Sequence, residues 1–255
     1  MTKQTDLRIY TVCICFFLIW TYGITIADAQ KSTDDRIAIK IGTIDLPPYG
    51  WEDSNHEKHG IIYELNQEIG IRSGLSFTNV ILPINRMYRL LKNGEIDLIS
   101  SQAHQAAQDA GDKLAIQFDI NVIAATKKGS GIYEIEDFKG KNLIYHHSAS
   151  YPQLEGLPQN IQRVKSYRQV LELLYLRPHA DGAVFSEPAY YYWMGVRRLT
   201  PADFGKVIMI ERNKAQWIFV RKGLPQKIRT ILKQIVEDIY REDLYEELIK
   251  KYGTN

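Results

Sequence analysis

Cysteine is almost missing from this chain of 255 residues, since its two cysteines, Cys13 and Cys15, both lie near the N-terminus. The remaining sequence therefore has no thiol for a disulfide or for a cysteine metal site. An excess of one charge is also lacking, because 32 lysines and arginines offset 30 aspartates and glutamates and leave a formal net charge of +2. This near balance argues against a nucleic-acid-binding protein, which usually carries a basic stripe.

Long apolar runs are absent except near the start of the chain, where the pattern predicts an export signal. Lys3 and Arg8 accompany a mostly apolar stretch at 9–26, and residues 27–29 (Ala-Asp-Ala) give the small-x-small pattern of a signal peptidase site. A retained membrane anchor is the alternative, although polar and small residues interrupt the short apolar core. We expect a signal peptide at 1–29, cleavage near Ala29 and a soluble periplasmic protein without a lipid anchor.

Downstream of the signal, the hydrophobic period alternates between that of strands and that of helices. The sequence predicts strands at 37–41, 77–82, 96–99, 118–126, 142–146, 182–185, 207–210 and 217–220. It predicts helices at 60–74, 86–93, 167–176, 188–194, 224–240 and 243–252. Strands that alternate with helices indicate the α/β class, with a mainly parallel sheet covered by helices. The pattern restarts midway along the chain, which favours two similar lobes joined by a hinge.

Polar and aromatic side chains follow several of the predicted strands. In open parallel sheets, ligands bind beyond the carboxyl ends of the strands. This rule selects candidate ligand-binding residues in both halves of the chain. They are Tyr49, Trp51, Arg86, Ser100, Ser101, Gln102, Ser148, Ser150, Tyr151, Ser186 and Glu187. If both sheets direct their strand ends into one cleft, these groups form a site for a small polar solute.

Each candidate type offers a particular chemistry. Tyr49 and Trp51 could provide an apolar wall, or could instead attach a loop to the sheet. Arg86 could donate two hydrogen bonds to a carboxylate or phosphate, or lie on a helix surface. Ser148 could belong to a helix N-terminus that favours anions, or merely cap that helix. Glu187 could accept from an ammonium or hydroxyl group, or complement a helix N-terminus.

Four segments, in order, resemble the extracellular solute-binding proteins of the polar amino-acid transporter class, which have the type 2 periplasmic binding fold. The most extensive is IKIGTIDLPPYGWEDSNHEKHGIIYELNQEIGIRSGL at 39–75, which resembles the opening strand, aromatic turn, hairpin and first helix. The others are LPINRMYRLLKNGEIDLIS at 82–100, IEDFKGKNLIYHHSASY at 135–151 and ADGAVFSEPAYYY at 180–192. The resemblance covers nearly all of the chain after the signal.

This resemblance implies one lobe at 30–120 plus 213–255, a second lobe at 121–212, and a hinge of two crossing strands. It further implies a protein, expected to be a monomer, that closes around a solute and delivers it to the membrane permease of an ABC-type transporter. No cofactor, metal ion, catalytic residue or nucleic-acid partner is predicted, and the loop histidines are interpreted as solvated. The alternatives are a periplasmic dehydratase-like lyase with Glu187 as general acid, and a subunit that reports a ligand to a membrane sensor.

The sequence departs from the family pattern at two positions that usually bind the two charged groups of an amino acid. Relatives that bind ordinary amino acids usually carry a Thr-x-x-Arg element after the third strand, but the segment SSQAHQAAQDAGDKLAIQF at 100–118 has no arginine. Ser186 stands where an aspartate usually binds the α-amino group. The expected solute is therefore a non-standard amino acid, a peptide-like or carboxylate solute, or another polar metabolite.

Overall fold

A computed structural model describes residues 38–253, so the predicted signal peptide lies outside the described residues. The strands are β1 (Ala38–Ile44), β2 (Trp51–Glu52), β3 (Lys58–His59), β4 (Ser76–Leu82), β5 (Leu98–Gln102), β6 (Gly111–Thr126), β7 (Asn142–His146), β8 (Asn160–Val164), β9 (Gly182–Ser186) and β10 (Val207–Arg221). The helices are α1 (Ile61–Ser73), α2 (Ile84–Lys92), α3 (Gln105–Ala110), α4 (Tyr167–Leu176), α5 (Glu187–Val196), α6 (Gln226–Arg241) and α7 (Leu244–Tyr252). Three short 3₁₀ segments complete them, at Glu136–Phe138, Pro152–Leu154 and Pro201–Asp203.

Eight of these strands form one sheet in the order β4-β1-β5-β10-β6-β9-β7-β8. The pairs β1–β4, β1–β5, β7–β9 and β7–β8 are parallel, whereas β10 is antiparallel to β5 and β6, and β6 is antiparallel to β9. β2 and β3 form a separate hairpin. The predicted α/β class with a mainly parallel sheet flanked by helices is thus confirmed.

Two long central strands, β6 and β10, connect the strands from the first half of the chain with those from the second half. Their register shifts between Met209 and Glu211 and again between Glu211 and Lys214. Such irregularities bend a strand locally and increase its twist. The predicted lobe boundaries at 120/121 and 212/213 fall within these two strands, and the division into lobes stays a prediction.

Helices cover the sheet with apolar faces whose spacing matches the helical period. α1 buries Ile61, Leu65 and Ile69 completely. Full burial of such aliphatic side chains is worth about 1.5–3 kcal/mol each. The helix ends at Gly74, whose φ of 64° is left-handed and whose N–H donates to the Ile71 carbonyl. This is the glycine stop expected from the sequence.

The predicted elements recur within a few residues at their ends, with four exceptions. β6 begins at Gly111, seven positions before the strand predicted at 118–126. The strands predicted at 207–210 and 217–220 are one strand, β10, because the polar residues between them still form backbone ladder bonds with β6. The strand β8 was not predicted, since its exposed edge position leaves no apolar alternation at 160–164. The six-residue helix α3 was also missed, as it is too short to establish a period.

Candidate functional site

A cavity of about 290 Å³ lies beyond the carboxyl ends of β1, β5, β7 and β9. Its lining combines side chains from the early part of the chain with side chains from the middle, as the strand-end rule predicted. Seven of the predicted residues belong to this lining: Tyr49, Ser100, Ser101, Gln102, Ser148, Tyr151 and Ser186. The structure therefore brings together polar groups that the sequence separates widely, which is the geometry of a binding site.

Tyr49 is held at both its backbone and its hydroxyl. Its carbonyl accepts from the N–H groups of Ile62 and Tyr63 at 2.9 and 3.1 Å, in the first turn of α1. Gly60 has a φ of 125°, and a Cβ there would lie 2.4 Å from the Tyr49 carbonyl oxygen, so only glycine allows this approach. At the other end, the Tyr49 hydroxyl donates to Ser186 Oγ at 2.6 Å. Tyr49 thus links the start of α1 to the end of β9.

Tyr151 and Tyr167 surround the Tyr49–Ser186 contact with further phenols. Burial raises the pKa of Tyr49, Tyr151 and Tyr167 above its usual range, and a hydrogen bond to Ser186 opposes this rise at Tyr167. All three phenols consequently keep their protons at neutral pH. Ser186 lies at the N-cap of α5 and is 2% exposed. Ser186 thus belongs to an uncharged network of hydroxyls.

Ser148 pairs with His146 at the end of β7. His146 Nε2 lies 3.0 Å from the carbonyl oxygen of Lys165, and His146 Nδ1 lies 2.8 Å from Ser148 Oγ. A carbonyl can only accept, so the proton sits on Nε2 and Nδ1 accepts from the Ser148 hydroxyl. Burial, with repulsion from His147, lowers the pKa of His146 to about 4. The Ser148 oxygen can therefore still accept a hydrogen bond from a donor in the cavity.

On the opposite wall, Tyr88 contacts both Ser101 and His104. Its hydroxyl oxygen is 2.8 Å from Ser101 Oγ and 2.8 Å from His104 Nε2, and the Tyr88 and His104 rings meet edge to face at 5.3 Å. Burial raises the pKa of Tyr88 to about 12 and lowers the pKa of His104 below its usual value. Both side chains are consequently uncharged at neutral pH.

Two buried polar atoms of the lining lack a hydrogen-bond partner within residues 38–253. They are Ser100 Oγ and Gln216 Nε2, in residues that are 3% and 6% exposed. Gln216 of β10 pairs in register with Gln102 of β5, and Ser100 lies two positions before Gln102. Because alternate residues of a strand share a face, the two unpartnered groups lie on the same side of the sheet.

Four predicted residues lie outside the cavity lining. Arg86 and Ser150 are exposed. Trp51 packs its ring 5.4–5.7 Å from those of His59, Tyr192 and Tyr252, the loop-attaching role weighed for it as an alternative.

Glu187 lies in the first turn of α5, which agrees with its alternative role at a helix N-terminus. It accepts from Asn121 Nδ2 at 2.8 Å and faces a second cavity. The helix N-terminus predicted near Ser148 is wrong, because residues 147 and 148 form a turn and a short 3₁₀ helix begins only at Pro152.

The sequence prediction missed several lining residues, including Tyr88, His104, His146, Tyr167 and Gln216. Tyr167 follows β8, so the failure to recognise that edge strand also hid the residue after it. Gln216 lies in the middle of a strand, so a rule that selects residues at strand ends does not identify it. His146 is the last residue of β7, two positions before Ser148, the first candidate after that strand.

One group of metal-ligating type occurs in the described part of the chain, formed by Asp53, Glu57 and His59. The Asp53 carboxylate already accepts from the backbone N–H groups of Asn55 and Glu57 and pairs with His59 at 3.1 Å. These bonds stabilise the turn between β2 and β3, and they explain why the three side chains lie close together. Within residues 38–253, no helix has the length and apolar character to span a bilayer.

The eight-stranded sheet with its cleft beyond the strand ends is a type 2 periplasmic binding fold. The model of the bacterial extracellular solute-binding proteins, family 3, matches residues 39–255. The chain therefore belongs to that family, whose members are typically extracellular or periplasmic. No curated protein sequence matches the chain significantly.

Solved structures agree on the fold. An ABC uptake transporter substrate-binding protein from Streptococcus pneumoniae with bound histidine has 17% identity and a TM-score of 0.69, covering 89% of this chain and 98% of that one. The GluR0 ligand-binding core with L-glutamate has 13% identity and a TM-score of 0.70, covering 86% and 99%. The ancestral amino-acid-binding protein AncCDT-1, a precursor of cyclohexadienyl dehydratase, has 16% identity and a TM-score of 0.68, covering 87% and 97%.

Proposed function

We propose that this solute-binding protein captures a small polar solute in the periplasm and delivers it to the permease of an ABC-type transporter. The observation that carries the proposal is the convergence of Tyr49 and Ser186, 137 positions apart, on one cavity. Family membership and transporter-associated neighbours support the same function. The protein acts as a monomer, and its binding residues are those that line the cavity.

Contacts across the predicted lobe boundary suggest how closure operates. Besides the Tyr49 hydroxyl bond, Trp193 Nε1 donates to the Pro47 carbonyl at 3.2 Å, and the rings of Trp51 and Tyr192 lie 5.7 Å apart. Opening of the cleft breaks these contacts. A solute that touches both sides of the cavity binds the closed state better than the open state and shifts the population toward it.

Binding without catalysis is the function that the site chemistry supports. A dehydratase needs an acid in contact with its substrate, and Glu187 was the residue predicted for that role. Glu187 instead bonds Asn121 and faces a different cavity from the one that contains Ser148 and Ser186. Incubation with prephenate-like acids is expected to give no product. Turnover detected by absorbance would contradict a binding function.

The test of binding is thermal melting of the purified chain with amino acids, sugars, amides and carboxylates, each added separately. A compound that binds only the folded state raises the melting temperature. Failure of every compound to raise it would refute the receptor function. The test of delivery uses the cognate permease in vesicles, where the loaded protein is expected to stimulate ATP hydrolysis. Co-purification with a sensor kinase, without such stimulation, would favour the sensing alternative.

A further inference from the structure

The electrostatic character of the cavity is unusual for an amino-acid receptor. Among the described residues that line it, there is no aspartate, glutamate, lysine or arginine. Burial lowers the pKa of its two histidines, His104 and His146, and raises the pKa of Tyr49, Tyr88, Tyr151 and Tyr167. The lining therefore carries no formal charge at neutral pH.

An uncharged lining disfavours ligands with formal charges. An ammonium or carboxylate that leaves water needs a counter-charge or several well-placed hydrogen bonds to offset its lost hydration. No ionised side chain of the described lining provides such a counter-charge, since Ser186 stands where related proteins usually have an aspartate and the segment after β5 has no arginine. A free amino acid, with one charge of each sign, is consequently a poor match for this cavity.

Polar atoms without a hydrogen-bond partner indicate which ligand groups the cavity favours. Ser100 Oγ and the Gln216 amide nitrogen are buried without partners in the described chain, at a cost that a bound molecule can remove. Gln216 offers a donor, which matches a carbonyl or hydroxyl oxygen. Ser148, whose proton is directed to His146, offers an acceptor to an N–H or O–H group. All three groups form hydrogen bonds without needing charge on their partner.

Apolar side chains form the rest of the surface. They include Ile44, Leu46, Ile62, Phe118 and Ile120. An apolar lining with a few convergent polar groups is typical of sites that bury much of a small molecule. It favours a ligand that has one apolar face.

We propose that the ligand of this cavity is an uncharged small molecule with hydroxyl, carbonyl or amide groups on one side and an apolar face on the other. This inference rests on the proposed receptor function and specifies the substrate class of the same site.

The experiment offers the purified full chain a mixture of matched compounds, each at millimolar concentration, and identifies retained compounds by native mass spectrometry. The pairs are N-acetyl-L-phenylalaninamide and L-phenylalanine, N-acetylglucosamine and glucosamine, and uridine and uridine monophosphate. Free glutamine, arginine and histidine complete the mixture. Each pair shares a skeleton and differs in charge, so the comparison isolates the electrostatic preference.

Retention of an uncharged member over its charged partner is the expected result. Retention of charged compounds instead would overturn the proposed substrate class while leaving the receptor function intact. Retention of nothing would overturn both.

Variants then test the two unpartnered groups with the retained compound. Ser100→Ala and Gln216→Ala are each expected to weaken its binding about 5- to 10-fold, the usual effect of one lost hydrogen bond. Gln234→Ala is the matched control, because Gln234 is exposed on α6 and bonds only to Asp238 among the contacts of the described chain. Unchanged affinity in both cavity variants would contradict the roles assigned to Ser100 and Gln216.

Discussion

Replacement of His146 by glutamine is expected to remove a large part of the acid sensitivity of the fold. In the folded chain the pKa of His146 is lowered to about 4, against an ordinary value of 6.5, chiefly by burial. As the pH falls below 6.5, the unfolded chain binds a proton at this position while the folded chain does not. The histidine therefore reduces the free energy of unfolding progressively down to about pH 4.

The size of the effect follows from the gap between the two pKa values. One pKa unit corresponds to about 1.4 kcal/mol, so the gap at His146 corresponds to about 3 kcal/mol. That figure is a substantial share of the 5–15 kcal/mol that typically separates folded from unfolded states. Glutamine does not titrate, and it can still donate to the Lys165 carbonyl and accept from Ser148.

Urea unfolding of the wild-type and His146→Gln proteins between about pH 7 and about pH 4 measures this effect directly. The difference in unfolding free energy between the two proteins is expected to change by about 3 kcal/mol over that interval, in favour of the variant at low pH. Titration of the shared carboxylates cancels in this difference. A difference that does not vary with pH would refute the argument.

A second variant tests the cause of the shift. His147 is exposed, and its repulsion is the second contribution to the lowered pKa of His146, after burial. His147→Gln is expected to raise the His146 pKa part of the way toward 6.5. Proton NMR of the imidazole resonances reports that pKa in each protein. An unchanged His146 pKa in this variant would show that burial alone causes the depression.

Three other substitutions test the remaining contacts. Tyr49→Phe leaves Ser186 without its donor and is expected to lower the unfolding free energy by about 1–3 kcal/mol. Tyr240→Phe is the control, because it removes an exposed hydroxyl and is expected to cost less than about 1 kcal/mol. Equal losses of unfolding free energy in urea would contradict this. Trp51→Ala is expected to cost about 2–4 kcal/mol of stability, because the ring packs on three others. Lost binding with unchanged melting would instead favour the apolar-wall role. Arg86→Ala is expected to keep the affinity for the retained compound within about twofold by calorimetry, and abolished binding would mean that Arg86 holds an anion.

The sequence allowed the element pattern and much of the cavity to be predicted. Strand ends are marked by a change from apolar to polar residues, so Ser100, Ser148 and Ser186 are recognisable as candidates in the sequence alone. The partners of these residues could not be predicted, because they depend on register and side-chain direction across strands. Whether Tyr49 bonds Ser186 or faces solvent, for example, is decided by contacts 137 positions apart.

Errors arose where local pattern and tertiary position disagree. β8 is an edge strand whose exposed side chains show no alternation, and its position is determined by pairing with β7. Trp51 was selected for its type and its place after a strand, yet its ring packs on the aromatic side chains of α5 and α7. Neither outcome is visible in a window of neighbouring residues.

The double attachment of Tyr49 has a consequence for how specificity can evolve in this protein. Its carbonyl is bound to the first turn of a helix, whereas its phenol lies at the cavity and bonds Ser186. A mutation at residue 186 therefore changes the partner of the phenol while the backbone bonds between Tyr49 and α1 remain available. Such a change costs stability wherever it leaves the buried phenol without a hydrogen-bond partner.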